Sequence, residues 1–152
     1  MIFISHRGNL SGPNPELENN PSQVEKVLEN GYNCEIDIRY KDGVYWLGHD
    51  KPQYEVSVWF LDKNCDKLWM HCKDIGALNH LTKYHKNFNC FFHQTDDVVL
   101  TSQGFLWVYP GKELVEGSVC VMPERGYDSL NIDKCYGYCS DYLNPKDYWE
   151  TK

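Results

Sequence analysis

Residues 2–8 read Ile2-Phe3-Ile4-Ser5-His6-Arg7-Gly8, and the expected fold is built from them together with the strands that follow. Three apolar residues in a row predict a short buried strand. The strand ends on an imidazole, a guanidinium and a glycine, which is poor packing chemistry but good site chemistry. Histidine moves a proton near neutral pH. Arginine beside it offers a fork of N–H donors that suits a phosphate or carboxylate. Glycine lets the backbone approach a ligand closely. A strand that delivers such groups at its end belongs to a parallel sheet whose strand ends form one mouth.

Working outward, Asn9–Pro21 reads as a loop. Ser22 then reads as an N-cap, with Glu25 three residues on as in a capping box. Val24, Val27 and Leu28 form a helical stripe that Asn30-Gly31 closes. Asn33–Tyr40 reads as a second strand, and Lys41-Asp42-Gly43 turns it into Val44–Leu47. Leu68–His71 is a third strand, followed by a helix over Asp74–Tyr84. The remaining strands are Asn89–His93, Val98–Leu100, Phe105–Tyr109, Ser118–Met122 and Cys135–Cys139. With Val44–Leu47 set aside as a hairpin extension, eight strands remain. Polar residues recur at or near strand ends: His6, Glu35 and Asp37, His71 and Lys73, His93, Thr101, Tyr109, Glu124 and Asp141.

That pattern predicts an α/β fold, a compact and reduced TIM-type (β/α)8 barrel, as a single domain over residues 1–152. A full barrel of this type uses about 250 residues, so several outer helices must be missing or shortened. The later connections are too short for crossover helices. The exposed strand backs are then left for the 11 Tyr and 5 Trp, or for a second subunit, to cover.

The net charge of −7 argues against binding to nucleic-acid backbone or anionic membrane surfaces. It leaves room for a small anionic substrate at a locally positive site. No apolar run reaches the roughly 20 residues of a membrane span. The start, Met1–His6, carries no basic segment of the kind that opens a leader peptide. Seven cysteines are an odd number and include no Cys-x-x-Cys pair. Together these features predict reduced thiols and a cytoplasmic location.

His6-Arg7-Gly8 is followed in order by Glu18-Asn19, Glu35-x-Asp37 and Gly48-His49-Asp50. Glu35 and Asp37 stand two apart on a strand, so both side chains point to one face. Two such carboxylates repel unless a cation sits between them, and oxygen ligands suit Ca²⁺ or Mg²⁺. Two histidines can serve opposite sides of a phosphodiester, one activating the nucleophile and one protonating the leaving alkoxide.

This ordered set resembles the glycerophosphodiester phosphodiesterase family, part of the phosphatidylinositol-phospholipase-C-like barrel superfamily. The resemblance is dense over roughly the first fifty residues and continues through Lys73. It implies His6 and His49 as the general base and acid, and Glu35 and Asp37 as ligands of Ca²⁺ or Mg²⁺. It implies Arg7 and Lys73 as the phosphate-holding groups and a small phosphodiester as the substrate.

His71 departs from that pattern, because the family carries an acidic metal ligand two residues before the lysine. Nitrogen fits Zn²⁺, Mn²⁺ or Ni²⁺ better than Ca²⁺ or Mg²⁺. Three readings follow: His71 ligates a different metal, His71 contacts substrate, or metal binding is weak. Asn20-Pro21 also stands where the family often has a threonine. Two further functions fit the same residues. One is a catalytically silent barrel that binds a phosphorylated ligand or a protein partner. The other is a metal-independent cyclising phosphodiesterase similar to bacterial phosphatidylinositol phospholipase C.

Overall fold

The computed structural model describes residues 1–126 and 132–143. The first strand, β1 (Ile2–His6), lies inside the sheet, with a parallel neighbour on each side. Helix α1 (Pro21–Glu29) leads to β2 (Asn33–Lys41), which pairs with β1 in parallel. A hairpin follows, β3 (Val44–Leu47) and β4 (Tyr54–Val56), with β3 antiparallel to the far end of β2. Then come α2 (Val58–Asp62), β5 (Leu68–Cys72), α3 (Ile75–Tyr84) and β6 (Asn89–Phe91). The second half holds β7 (Val98–Leu100), β8 (Leu106–Val108), β9 (Val119–Val121), a 3-10 turn over Pro123–Arg125, and β10 (Gly137–Ser140).

The ten strands form one mixed sheet. Seven of them run parallel in the order β8-β9-β10-β1-β2-β5-β6. The predicted (β/α)8 barrel is therefore not the fold. Where the barrel needs β7 as a parallel stave between β6 and β8, β7 turns back and pairs antiparallel with β8, Val98 opposite Val108. The cause is the connection: between Leu100 and Leu106 the chain makes a tight turn, with Thr101 and Phe105 paired through the backbone. A parallel crossover needs a dozen or more residues. Among the described residues no strand ladder joins β6 to β8, and the α-helices number three, all before β6.

Strand alternation divides the interior. On β2 and β5, Cys34, Ile36, Ile38, Leu68, Met70 and Cys72 face a core completed by Val24, Val27 and Leu28 of α1 and Ala77 and Leu81 of α3. The residues between them point the other way. Trp69 joins Ile4, Phe91, Trp107, Val119, Val121 and Cys139 in a second cluster. Glu35, Asp37 and His71 share that opposite face, in register pairs Glu35–Trp69 and Asp37–His71. Strands covered on both sides read as continuous apolar runs, and here the interruptions are the site residues.

The helix ends show one boundary shift. Asn20, not Ser22, caps α1: its side chain accepts a hydrogen bond from Ser22 N, and Pro21 takes the first helical position, where its missing N–H is harmless. Asp74 caps α3 by accepting from Ala77 N at 2.7 Å. β10 closes against β1 at Gly137, where a Cβ would stand 2.6 Å from the Ile2 carbonyl oxygen, so only glycine fits.

Candidate active site

The C-terminal ends of β1, β2 and β5 open into a cavity of about 260 Å³. His6, Arg7, Glu35, His49, His71 and Lys73 all line it, joined by His93, Arg125 and a wall that includes Trp107, Tyr109, Pro110 and Met122. Of the predicted site residues only Asp37 is recessed, fully buried behind the lining.

His6 stands at the end of β1. Its Nδ1 lies 2.7 Å from Asp141 Oδ1. A carboxylate only accepts, so Nδ1 carries the proton and Nε2 faces the cavity, 4.0 Å from Glu35 Oε2. Asp141 is buried just beyond β10, and Asn9 Nδ2 donates to the same Oδ1 at 2.7 Å. Burial would raise the Asp141 carboxyl, but His6, Asn9 and Arg125 outweigh it and hold it below the usual carboxylate range. A buried, ionised acid thus fixes the tautomer of His6.

Glu35 and Asp37 are both buried. Burial alone would raise the Glu35 carboxyl; His71, His6 and Arg7 together pull it down to about 2. Asp37 is clamped by Asn19, which donates from Nδ2 to Oδ2 at 2.9 Å and accepts from Asp37 N at 2.8 Å. Asp37 Oδ1 accepts no hydrogen bond. The nitrogens facing it are His71 Nδ1 and Lys73 Nζ, each at 3.6 Å. A buried carboxylate oxygen without a donor is costly unless a cation faces it. Ligand atoms of Glu35, Asp37 and His71 all lie within 4.8 Å of one another. This set fits a divalent cation.

Arg7 sits at φ 55°, in the left-handed region, just past the end of β1. Its Nε lies 2.9 Å from Asp37 Oδ2 in an ion pair too poorly aligned to be a hydrogen bond. Its Nη1 donates to Glu18 Oε2 at 3.1 Å. Burial opposes the charge, but Asp37, Glu35 and Glu18 prevail and raise the Arg7 pKa. Glu18 therefore belongs to the scaffold of the site: it holds Arg7 and also accepts from Asn9 Nδ2 at 3.1 Å.

His49 comes from the turn after β3 rather than from a strand end. Its Nδ1 lies 2.7 Å from Asp50 Oδ1, which again leaves Nε2 as the outward nitrogen. The turn depends on Gly48 at φ 145°, where a Cβ would overlap the Lys51 carbonyl oxygen at 2.1 Å. Arg39 holds it from below by donating from Nε to the Gly48 carbonyl at 3.1 Å and from Nη2 to the His49 carbonyl.

Other sequence candidates divide. His93 is buried, with its ring 5.1 Å from that of Tyr109. Glu124 braces the last strand, accepting from Ser140 Oγ at 2.9 Å and from Asp141 N at 3.3 Å. Thr101 is buried in the β7–β8 turn and lies outside the cavity lining. Asn9, Asn19 and Arg125 were not among the candidates. Asn19 stood beside Glu18 in the second motif and was the one with a signal. Asn9 lay in a stretch that reads only as loop.

No helix among the described residues is long and apolar enough to cross a membrane. The chain matches no protein-family model, no curated protein and no solved structure.

Proposed function

We propose that the cleft hydrolyses a small phosphodiester by two-histidine acid–base chemistry. The observation that carries this reading is the matched pair of imidazoles. His6 and His49 both line one cavity, each with Nδ1 tied to a carboxylate and Nε2 left for proton transfer. His6, oriented by the buried Asp141, takes the proton of the attacking hydroxyl. His49, on its more exposed turn, returns a proton to the leaving alkoxide. Arg7 and Lys73, both on the cavity lining, place positive charge beside the phosphoryl oxygens.

Glu35 and Asp37 hold a divalent cation, Ca²⁺ or Mg²⁺ by the resemblance, which supplies charge neutralisation to the phosphoryl group when bound. The ordered motifs shared with glycerophosphodiester phosphodiesterases support glycerol-based phosphodiesters as the substrate class. The seven free thiols suit a reducing, cytoplasmic setting.

The test is an assay of the full chain on glycerophosphodiesters and on bis(p-nitrophenyl) phosphate, with Ca²⁺, Mg²⁺, Mn²⁺ or Zn²⁺ added. Turnover is expected for the native protein and background only for the His6→Ala, His49→Ala double variant. Equal rates for the two overturn the reading.

A further inference from the structure

We infer that His71 is the third protein ligand of the cation, and that its nitrogen turns the site from Ca²⁺ and Mg²⁺ toward a borderline transition ion such as Mn²⁺ or Zn²⁺. The inference rests on the metal-assisted reading above and deepens it.

The ring of His71 has little freedom. It stacks on Phe91, with centroids 5.0 Å apart and planes 15° apart. Its Nε2 lies 2.9 Å from the His93 carbonyl oxygen. A carbonyl only accepts, so Nε2 is the protonated nitrogen, and in the neutral ring the lone pair sits on Nδ1. Nδ1 lies 3.5 Å from Glu35 Oε1 and 3.6 Å from Asp37 Oδ1.

Two descriptions of this contact compete. In the first, Nδ1 also carries a proton and the imidazolium bridges the carboxylates. Charge-assisted N–H···O contacts close to about 2.7–2.9 Å, and neither distance is near that. In the second, three electron pairs converge on one ion. Two ligand atoms each about 2.1 Å from a metal, at near-tetrahedral angles, stand roughly 3.4 Å apart; the two spacings from His71 match this, and all three ligand atoms lie within 4.8 Å of one another. Asp37 Oδ1 accepts no hydrogen bond although its residue is fully buried. Lys73 Nζ faces that oxygen from 3.6 Å without donating a hydrogen bond to it, and a bound ion gives it a direct contact.

The donor set is therefore one imidazole nitrogen and two carboxylate oxygens, with the open side facing the cleft. Imidazole favours Mn²⁺ and Zn²⁺ over the hard ions, and the carboxylates suit Mn²⁺ well. The hydrogen bond from Nε2 to the His93 carbonyl is the outer-shell support that metal-bound histidines use to fix tautomer and orientation. His71 thus stands where the resemblance calls for an acid and changes which ion the same two carboxylates hold.

The test uses the full chain stripped of metal and titrated calorimetrically with Mn²⁺, Mg²⁺ and Ca²⁺. Mn²⁺ is expected to bind about tenfold or more tighter than Mg²⁺, and His71→Asp is expected to erase most of that margin. To guard against a variant that fails to fold, Mn²⁺ bound to the native protein labelled with ¹⁵N-histidine is examined by pulsed electron paramagnetic resonance. A nitrogen hyperfine coupling is expected. Mg²⁺ or Ca²⁺ binding as tightly as Mn²⁺, no nitrogen coupling, or no metal binding at all overturns the inference. Phosphodiester turnover is scored separately. Turnover with Mg²⁺ preferred sinks the role of His71 alone. Tight Mn²⁺ binding through His71 without turnover sinks the phosphodiesterase reading and leaves the ligand set standing.

Discussion

The two ends of the parallel strands carry opposite kinds of chemistry. At the C-terminal ends, a cavity of about 260 Å³ gathers His6, Arg7, Glu35, His71 and Lys73. At the N-terminal ends, a larger one of about 470 Å³ is lined by Asn33, Asn87, Asn89, Gln103, Trp69 and Phe105, with one carboxylate, Asp66, and no basic side chain. Asn33 there accepts from the Trp69 indole N–H at 3.2 Å, and Gln103 Nε2 donates to the Lys86 carbonyl at 2.8 Å. Those amides satisfy a ring donor and a backbone acceptor. At the opposite end, charged groups are held in fixed positions by other charged groups and by asparagines. Volume therefore does not separate the two ends of this sheet; commitment of charge does.

The sharpest way to break the contrast is to remove proton transfer from the charged end. His6→Ala is expected to lower phosphodiester turnover by about 10²–10⁴-fold, measured as initial rates at saturating metal. An unchanged rate would deny that end its role. Asp37→Ala probes how far the same end is structural. It deprives Arg7 of a fully buried partner and strands Asn19, so a loss of about 3 kcal/mol in urea unfolding is expected, together with loss of metal binding.

Acid titration sharpens the contrast next. Glu35 has a folded pKa of about 2 and Asp141 is also lowered. Groups whose folded pKa is depressed add stability that is complete above the ordinary carboxyl range, near pH 4, and is lost as pH falls toward the folded value. The unfolding free energy is expected to fall steadily from pH 5 to pH 2, and Glu35→Gln to flatten that slope. A slope identical in the variant would show that Glu35 does not carry it. The smallest effect belongs to the amide end. Trp69→Phe removes the indole donor to Asn33 and is expected to cost about 1 kcal/mol of stability, with turnover within about a factor of two because an aromatic ring still packs against Trp107. A large loss of turnover there would merge the two ends.

Much of this was legible residue by residue. The apolar runs Ile2–Ile4, Cys34–Ile38 and Leu68–Met70 announce buried strands, and their charged interruptions announce the cleft. The two-residue step from Glu35 to Asp37 predicted a shared face, and the register pair Asp37–His71 then placed His71 beside them. Helix α2 went unread because five residues are too few for a periodic signal. The barrel expectation failed at Val98–Leu100, where a short apolar run looks the same whether its neighbour is parallel or antiparallel. The tight turn at Thr101–Phe105 decided the direction. Asp141 could be placed near a strand end, but not against His6. That contact arises only because β10 docks beside β1 with Ser5 opposite Ser140, a pairing that local sequence does not encode.

That pairing has a consequence in time. His6 and its carboxylate partner lie 135 positions apart in the chain, and β1 gains its second neighbour only when β10 arrives. The imidazole at the end of β1 and the acid that orients it meet only through the pairing of these two strands. Contacts of such sequence separation slow folding, and they also make the site a late event. Until β10 seats beside β1, the imidazole is present but lacks the carboxylate that sets its tautomer.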